Sequence, residues 1–397
     1  MKEFIKLFNQ YVDDGLYPGI EWKISLKKQT FEGNSGYLNI ENKLPIVENT
    51  IYRIWSMTKP IISIVILQLI EENKLKLNDS ITKFLPKFDN LKVLKSLDSN
   101  IDDLVEIKQM PTIENLLCHT AGFSYNFIGD AIGRKYENLK LFHSELTSLE
   151  EEIDILASVP LLCQPSTKWI YSVSVDILAR IIEIITNSSL QIELKKRIFD
   201  PLEMNHTSFN VDVANYDNLM TQYEFDSINK KIHKPSKNKQ KIFNYGYPIN
   251  QLSYSRGGHG LFSTLNDYFK FAQMLLTGKN QYGKTIISNA LLTKATTNQL
   301  NKKFFPLEII NFDEDNSLME ENGLENYGWG LGFRVMQEIS KFENIGNTGE
   351  FGWSGAASTY FLVDPKYDLV AVMMTQVLGA NNNLQKEFYK QIYKTLI

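Results

Sequence analysis

The sequence predicts an α+β chain: a mainly antiparallel β-sheet flanked by helices, with an inserted helical lobe. Three observations carry this. Ile20, Trp22, Ile24 and Leu26 alternate with Glu21, Lys23, Ser25 and Lys27, the period of a strand. Strand-like runs return only near the other end, at Gly328–Met336, Ala356–Val363 and Leu369–Met374. Between them, from about Asn78 to Phe209, the text is helical and loop-rich. The expected units are therefore a discontinuous sheet domain, residues 1–78 and 210–397, and a helical lobe, residues 79–209.

The elements follow in order. Phe4, Phe8 and Tyr11 share a face of an opening amphipathic helix that Gly15 stops. The alternation over 20–27 predicts a half-buried antiparallel strand with Glu21, Lys23 and Ser25 turned to solvent. A second strand is expected around Phe31–Leu38. From Ser56 to Leu75 the chain reads as a mostly buried helix, with Pro60 in its first turn, where a missing backbone donor does little harm. A second apolar helix is expected over Val173–Ile185. Residues 227–241, rich in lysine, read as a solvated hairpin or loop. Residues 310–326 read as an acidic surface insertion. A closing helix carries the stripe Leu384, Phe388, Ile392 and Leu396.

Composition excludes several classes. With 42 Lys plus Arg against 46 Asp plus Glu, the formal charge of −4 gives no footprint for nucleic acid. Five histidines and two unpaired cysteines, Cys118 and Cys163, argue against a zinc site and for two buried free thiols. No metal and no cofactor is expected. The longest apolar run, Ile61 to Ile70, is about half a membrane span, and Lys2, Glu3 and Lys6 interrupt any signal-like segment. The expectation is a soluble cytoplasmic protein with a small-molecule partner.

The chemistry rests on a Ser-x-x-Lys pattern. It recurs along the chain, at Ser25, Ser227 and Ser236 among other places, but only Ser56 heads a buried helix. There Lys59, one turn on, reaches the Ser56 hydroxyl, and the helix N-terminus offers free N–H groups to a developing oxyanion. A serine hydroxyl needs a base to become a nucleophile, and a desolvated lysine is one. Taken alone, the pattern equally describes a capping serine with a surface lysine. Tyr171, just before the second apolar helix, is a candidate proton shuttle, although a lone tyrosine there is more often packing. Gly352-Trp353-Ser354-Gly355-Ala356 opens a strand where backbone N–H groups meet a ligand, or simply forms a turn.

These pieces, with Leu117–Gly122, Asp200–Met204, Gly257–Thr264 and Tyr327–Phe333, resemble the β-lactamase-related serine hydrolases: class C β-lactamases, D,D-peptidases and family VIII carboxylesterases. The likeness spans nearly the whole chain. It implies a β-lactamase/transpeptidase-like fold, with Ser56 as acylated nucleophile and Lys59 and Tyr171 as its activating partners. It also implies an oxyanion hole from the N–H groups of Ser56 and Ala356, and substrate contacts at Trp353, Ser354, Gly355 and His259. His119 is expected to be structural. Two departures matter. The family's Tyr-x-Asn becomes Tyr171-Ser172-Val173, and its Lys-Thr-Gly becomes Trp353-Ser354-Gly355. Each lost polar contact is worth about 1.5–3 kcal/mol to a penicillin-like ligand. The expected function is therefore a carboxylesterase working through an acyl-enzyme on a small ester or amide. The alternatives are a β-lactamase or D,D-peptidase, and a non-catalytic scaffold that kept the fold.

Overall fold

The computed structural model describes residues 2–141, 148–238, 247–250, 255–309, 324–339, 344–380 and 383–396. From the N-terminus, helix α1 (Lys2–Asp13) leads into β1 (Gly19–Leu26), β2 (Gln29–Asn39) and β3 (Leu44–Pro45). Helices α2 (Thr58–Glu71), α3 (Ser174–Thr186) and α4 (Leu265–Thr277) follow, with shorter elements between them. The chain returns to strands at β4 (Tyr327–Trp329), β5 (Arg334–Met336), β6 (Phe351–Ser354), β7 (Tyr360–Asp364) and β8 (Leu369–Met374), and closes on α5 (Asn383–Leu396).

These eight strands form one antiparallel sheet in the order β4-β5-β6-β7-β8-β1-β2-β3. The two ends of the chain meet at its centre, where Trp22 pairs with Met373 and Ile24 with Ala371. One face is packed by α1 and α5: Phe4 stacks on Trp22 and Phe388 meets both Phe4 and Phe8. The mainly antiparallel α+β architecture expected from the sequence is thus present.

The alternation over 20–27 gave the strand correctly but not its exposure. Glu21 and Ser25 are buried and Lys23 is half-buried. The cause is α4, which lies over that face; Lys23 Nζ donates to Asn266 Oδ1 at 2.7 Å. Glu21 instead accepts from the Tyr52 hydroxyl at 3.0 Å.

The strand expected over Gly328–Met336 is two short strands joined by a turn. Gly332 sits there at φ +97°, and a Cβ on it would meet Ser63 Oγ of α2 at 2.1 Å. The strand expected over Ala356–Val363 starts late for a similar reason. Residues 355–359 form a tight turn, closed by Ser358 N–H on Gly355 O and Gly355 N–H on Thr359 O, and β7 begins only at Tyr360. Three- and four-residue strands are too short to display a period. The lysine-rich segment enters as a hairpin, with Tyr223–Asp226 paired to Lys231–His233. Its residues 239–241 and most of the acidic stretch 310–326 lie outside the described residues. Both cysteines are buried and free.

Helix α2 is the spine beneath the site. Its residues from Thr58 to Leu67 are all buried, because α3 packs along it while short elements crowd its other faces. Among the described residues, no helix is long and apolar enough to cross a membrane.

Candidate active site

The segment before α2 sets the geometry. Strand Ile51–Arg53 pairs with Phe262–Thr264, and a 3₁₀ turn over Trp55–Met57 then delivers the chain to α2. Ser56 therefore lies in this turn, two residues ahead of the helix expected to begin with it. Trp55 carries φ 48°, a left-handed conformation that costs a residue with a side chain about 1–3 kcal/mol. Packing holds it there: its ring stacks on His259 at 5.8 Å and meets Tyr247 at 4.8 Å.

Lys59 is the hub. It is 1% exposed, and its Nζ lies 3.1 Å from Ser56 Oγ, 2.9 Å from the Tyr125 hydroxyl and 2.6 Å from the Gly258 carbonyl. Three contacts match the three hydrogens of an ammonium. The Gly258 carbonyl can only accept, so one N–H is always committed to it. The two hydroxyl contacts can run in either direction.

Tyr171 reaches the same centre differently. Its ring lies under Lys59, with Nζ 4.7 Å from the ring centroid. Its hydroxyl accepts from Trp353 Nε1 at 3.3 Å rather than bonding to Ser56 or Lys59. The phenol whose oxygen touches Lys59 is Tyr125, which the sequence reading passed over. Burial pushes Tyr125 well above the usual phenol range, with Asp176 adding to the shift, so it stands as a neutral hydroxyl. A signal was available: Tyr125 follows directly on the Leu117–Gly122 stretch singled out from the sequence.

Trp353 is 4% exposed and packs edge-on against Trp329 at 4.6 Å, so it buttresses Tyr171 more than it faces solvent. Ser354 is half-buried, and Ala356 is exposed at the tip of its turn. Gly355 presses on the nucleophile segment: a Cβ there would lie 2.5 Å from Ile54 O and 2.3 Å from Thr359 Oγ1. This close approach sets the 355–356 turn beside the Ser56 turn. His259 is half-buried, and its Nε2 pairs with Arg256 Nη1 at 3.0 Å.

His119 is buried against Tyr171, Trp169 and Trp329. Its Nδ1 accepts from Ser172 N–H at 3.2 Å. Burial first, then the nearby Lys59, hold its pKa well below the usual imidazole value, so it is neutral. This fits a structural role. Among the described residues no cluster of three or more His, Cys, Asp or Glu side chains is disposed to hold a metal.

The loop carrying the Gly258 carbonyl is held against α3 by its glycines. A Cβ on Gly257 would lie 2.4 Å from Val175 O, and one on Gly258 would lie 2.4 Å from Asp176 Oδ2 and 2.6 Å from the Tyr125 hydroxyl. Asp176 Oδ1 accepts from Gly258 N–H at 2.8 Å. This fully buried acid was also missed, although a carboxylate in the apolar first turns of this helix is a visible anomaly.

Known proteins resemble this chain over most of its length. The family model described as Beta-lactamase matches residues 4–393. An uncharacterised protein of Mycobacterium tuberculosis is 27% identical over 370 residues, 92% of this chain and 87% of that one. Esterase EstB of Burkholderia gladioli is 30% identical over 177 residues, 44% of this chain and 42% of the esterase. The solved structure of EstCE1, described as a hydrolase with promiscuous acyltransferase activity, superposes with a TM-score of 0.80 at 22% identity, covering 98% of this chain and 97% of that one.

Proposed function

The chain belongs to the β-lactamase family of serine hydrolases and acyltransferases, and from that premise we propose that it is a carboxylesterase acting through an acyl-enzyme on Ser56. The observation that carries the proposal is the 3.1 Å contact between Ser56 Oγ and the buried Lys59 Nζ. An amine fixed on an acceptor-only carbonyl and wedged between two hydroxyls has few other uses.

In the proposed reaction, the neutral amine of Lys59 keeps one N–H on Gly258 O and turns its lone pair to the Ser56 hydroxyl. It takes that proton as Oγ attacks the ester carbonyl. The tetrahedral oxyanion is received by the N–H groups of Ser56 and Ala356. Collapse breaks the bond to the leaving alkoxide, which takes a proton passed on from the Lys59 ammonium directly or through a tyrosine hydroxyl. Tyr125 is placed for that relay by its 2.9 Å contact to Lys59; Tyr171 supports the ammonium through its ring face. Water or an alcohol then resolves the acyl-enzyme by the same steps in reverse. In this reading the sheet domain, residues 1–78 and 210–397, supplies Ser56 and Lys59, while the 79–209 lobe supplies both tyrosines.

Esters are favoured over penicillins because Trp353 stands where the family resemblance expects a lysine, and Val173 where it expects an asparagine. Neither position then offers the cation or side-chain amide that would hold a penicillin's carboxylate and acyl-amide groups. Transfer to an alcohol in place of water is the second reading, supported by the acyltransferase activity stated for EstCE1.

A series of p-nitrophenyl esters of increasing acyl length, assayed with wild type and Ser56→Ala, tests the proposal. The expected result is wild-type turnover of short esters, loss of it in Ser56→Ala, and a fluorophosphonate adduct on Ser56. Rapid turnover of nitrocefin with no ester hydrolysis would overturn it.

A further inference from the structure

The buried charges around Lys59 are balanced in an orderly way. Two cationic side chains, Lys59 and Arg256, and two acidic ones, Asp176 and Glu152, are all 0–1% exposed and belong to one electrostatic neighbourhood. Isolated charges this deep are costly, so their presence calls for a reason. Asp176 stands out among them. Its Oδ1 is spent on Gly258 N–H, while its Oδ2 has no hydrogen-bond partner among the described residues. That unpaired oxygen and the Tyr125 hydroxyl flank the same spot beside the Gly258 Cα.

From this geometry we infer that Asp176 is the positioning residue of the Ser56–Lys59 pair: it fixes the Gly258 carbonyl on Lys59 and supplies the negative charge that stabilises the ammonium formed when Lys59 takes the serine proton. The relay is two bonds long. Asp176 Oδ1 accepts from Gly258 N–H, and the carbonyl of the same residue accepts from Lys59 Nζ at 2.6 Å. Asp176 touches neither the substrate nor the reacting oxygen. Its role parallels the carboxylate of a Ser-His-Asp triad, which orients the base and stabilises its charged form without taking the proton.

Burial raises the Asp176 pKa, and Lys59, the Gly258 and Gly257 N–H groups and Arg256 oppose that rise. Lys59 in turn faces the Ser56 hydroxyl, the Tyr125 hydroxyl, the Tyr171 ring and His119, and of these Tyr125 and His119 stand neutral. Glu152 acts electrostatically on Tyr125. Asp176 is therefore the anion with a direct backbone path to Lys59. A carboxylate that stabilises the ammonium favours transfer of the serine proton to Lys59, and removing its charge disfavours that transfer.

The inference rests on the proposed role of Ser56, and the test separates the two. Wild type, Asp176→Asn and Asp176→Ser are compared in full-length protein. Both variants keep an oxygen acceptor for Gly258 N–H and remove the charge; the serine variant serves if the asparagine one does not fold. Each is checked for an unchanged circular dichroism spectrum, then assayed for p-nitrophenyl butyrate hydrolysis from pH 5 to 10. Expected is a fall in kcat on the order of tenfold or more, from the loss of one nearby charge at an effective dielectric of about 20. KM should change little, and the acid limb of the kcat/KM profile should move to lower pH. A folded variant whose pH limbs coincide with wild type overturns the inference, even if kcat falls, because a structural defect alone leaves the limbs in place. If wild type itself gives no fluorophosphonate adduct on Ser56, the esterase reading falls and the Asp176 role falls with it.

Discussion

Two tyrosines lie against Lys59, and replacing each by phenylalanine separates their roles. In Tyr125→Phe, Lys59 loses a 2.9 Å partner inside the protein, where water is not on hand to replace it. A hydrogen bond to a charged group is worth about 1.5–3 kcal/mol, which corresponds to roughly a 10- to 150-fold loss in kcat if it is used in the transition state. In Tyr171→Phe the ring that supports the ammonium at 4.7 Å stays, and only a 3.3 Å contact with Trp353 Nε1 is removed. A neutral bond of that kind is worth about 0.5–1.5 kcal/mol, a loss of roughly 2- to 13-fold. Steady-state hydrolysis of p-nitrophenyl butyrate at saturating substrate gives both numbers directly. The expectation is the larger loss in Tyr125→Phe, with KM nearly constant in both variants. If Tyr171→Phe lost a thousandfold while Tyr125→Phe stayed within twofold of wild type, the hydroxyl contacts at Lys59 would not be those that carry the proton.

Other outcomes follow from the same structure. Buried Glu21 has its pKa pushed up to about 8 from an ordinary 4.5, chiefly by burial, with the Tyr52 hydrogen bond opposing. Above pH 4.5 the unfolded chain ionises while the native one holds its proton, so folding stability falls as pH rises and levels off above about 8. Glu21→Gln mimics the protonated acid, so chemical denaturation should find it more stable than wild type at pH 9 and equal to it near pH 4. Cys118 and Cys163 are buried, and burial pushes both thiols up, Cys163 to about 11. Ellman's reagent should therefore find no reactive thiol in the native protein at pH 8 and two after denaturation; rapid native labelling would contradict the packing. Ile64→Ala, in the buried face of α2, should cost about 2–5 kcal/mol of stability by the cavity it leaves, read as a lower denaturation midpoint.

How much of this was legible in the sequence depends on the range of the forces involved. Local pattern sufficed for β1, α3 and α5, because each is long enough to show its period, and for β8, a continuous apolar run buried on both faces. It failed for exposure at Glu21 and Ser25, because the covering helix α4 begins more than two hundred residues away and leaves no trace in the alternation itself. The short strands β4 to β6 were blurred for a related reason: their turns are shaped by contacts with α2 and the Ser56 segment, as the close approaches of Gly332 and Gly355 record.

The candidate site divides along the same line. The pairing of Ser56 with Lys59 is local, three residues on one turn, and could be read directly. The partners of Lys59 come from three separated parts of the chain: Tyr125 from a loop, Tyr171 and Asp176 from the head of α3, and the Gly258 carbonyl from a glycine-rich strand approach. Two of these contacts involve groups that sequence hides almost completely, a backbone carbonyl and a hydroxyl on an unremarked loop. What betrays them is a pair of local inconsistencies. One is a carboxylate at Asp176 on the buried face of α3. The other is Gly257-Gly258, where any side chain would collide with α3 or with the Tyr125 hydroxyl. Segments that break their own local rules in this way do so where the fold demands close approach to something charged. Here the charge is Lys59, so the irregular positions, more than the regular ones, mark where the chemistry is supported.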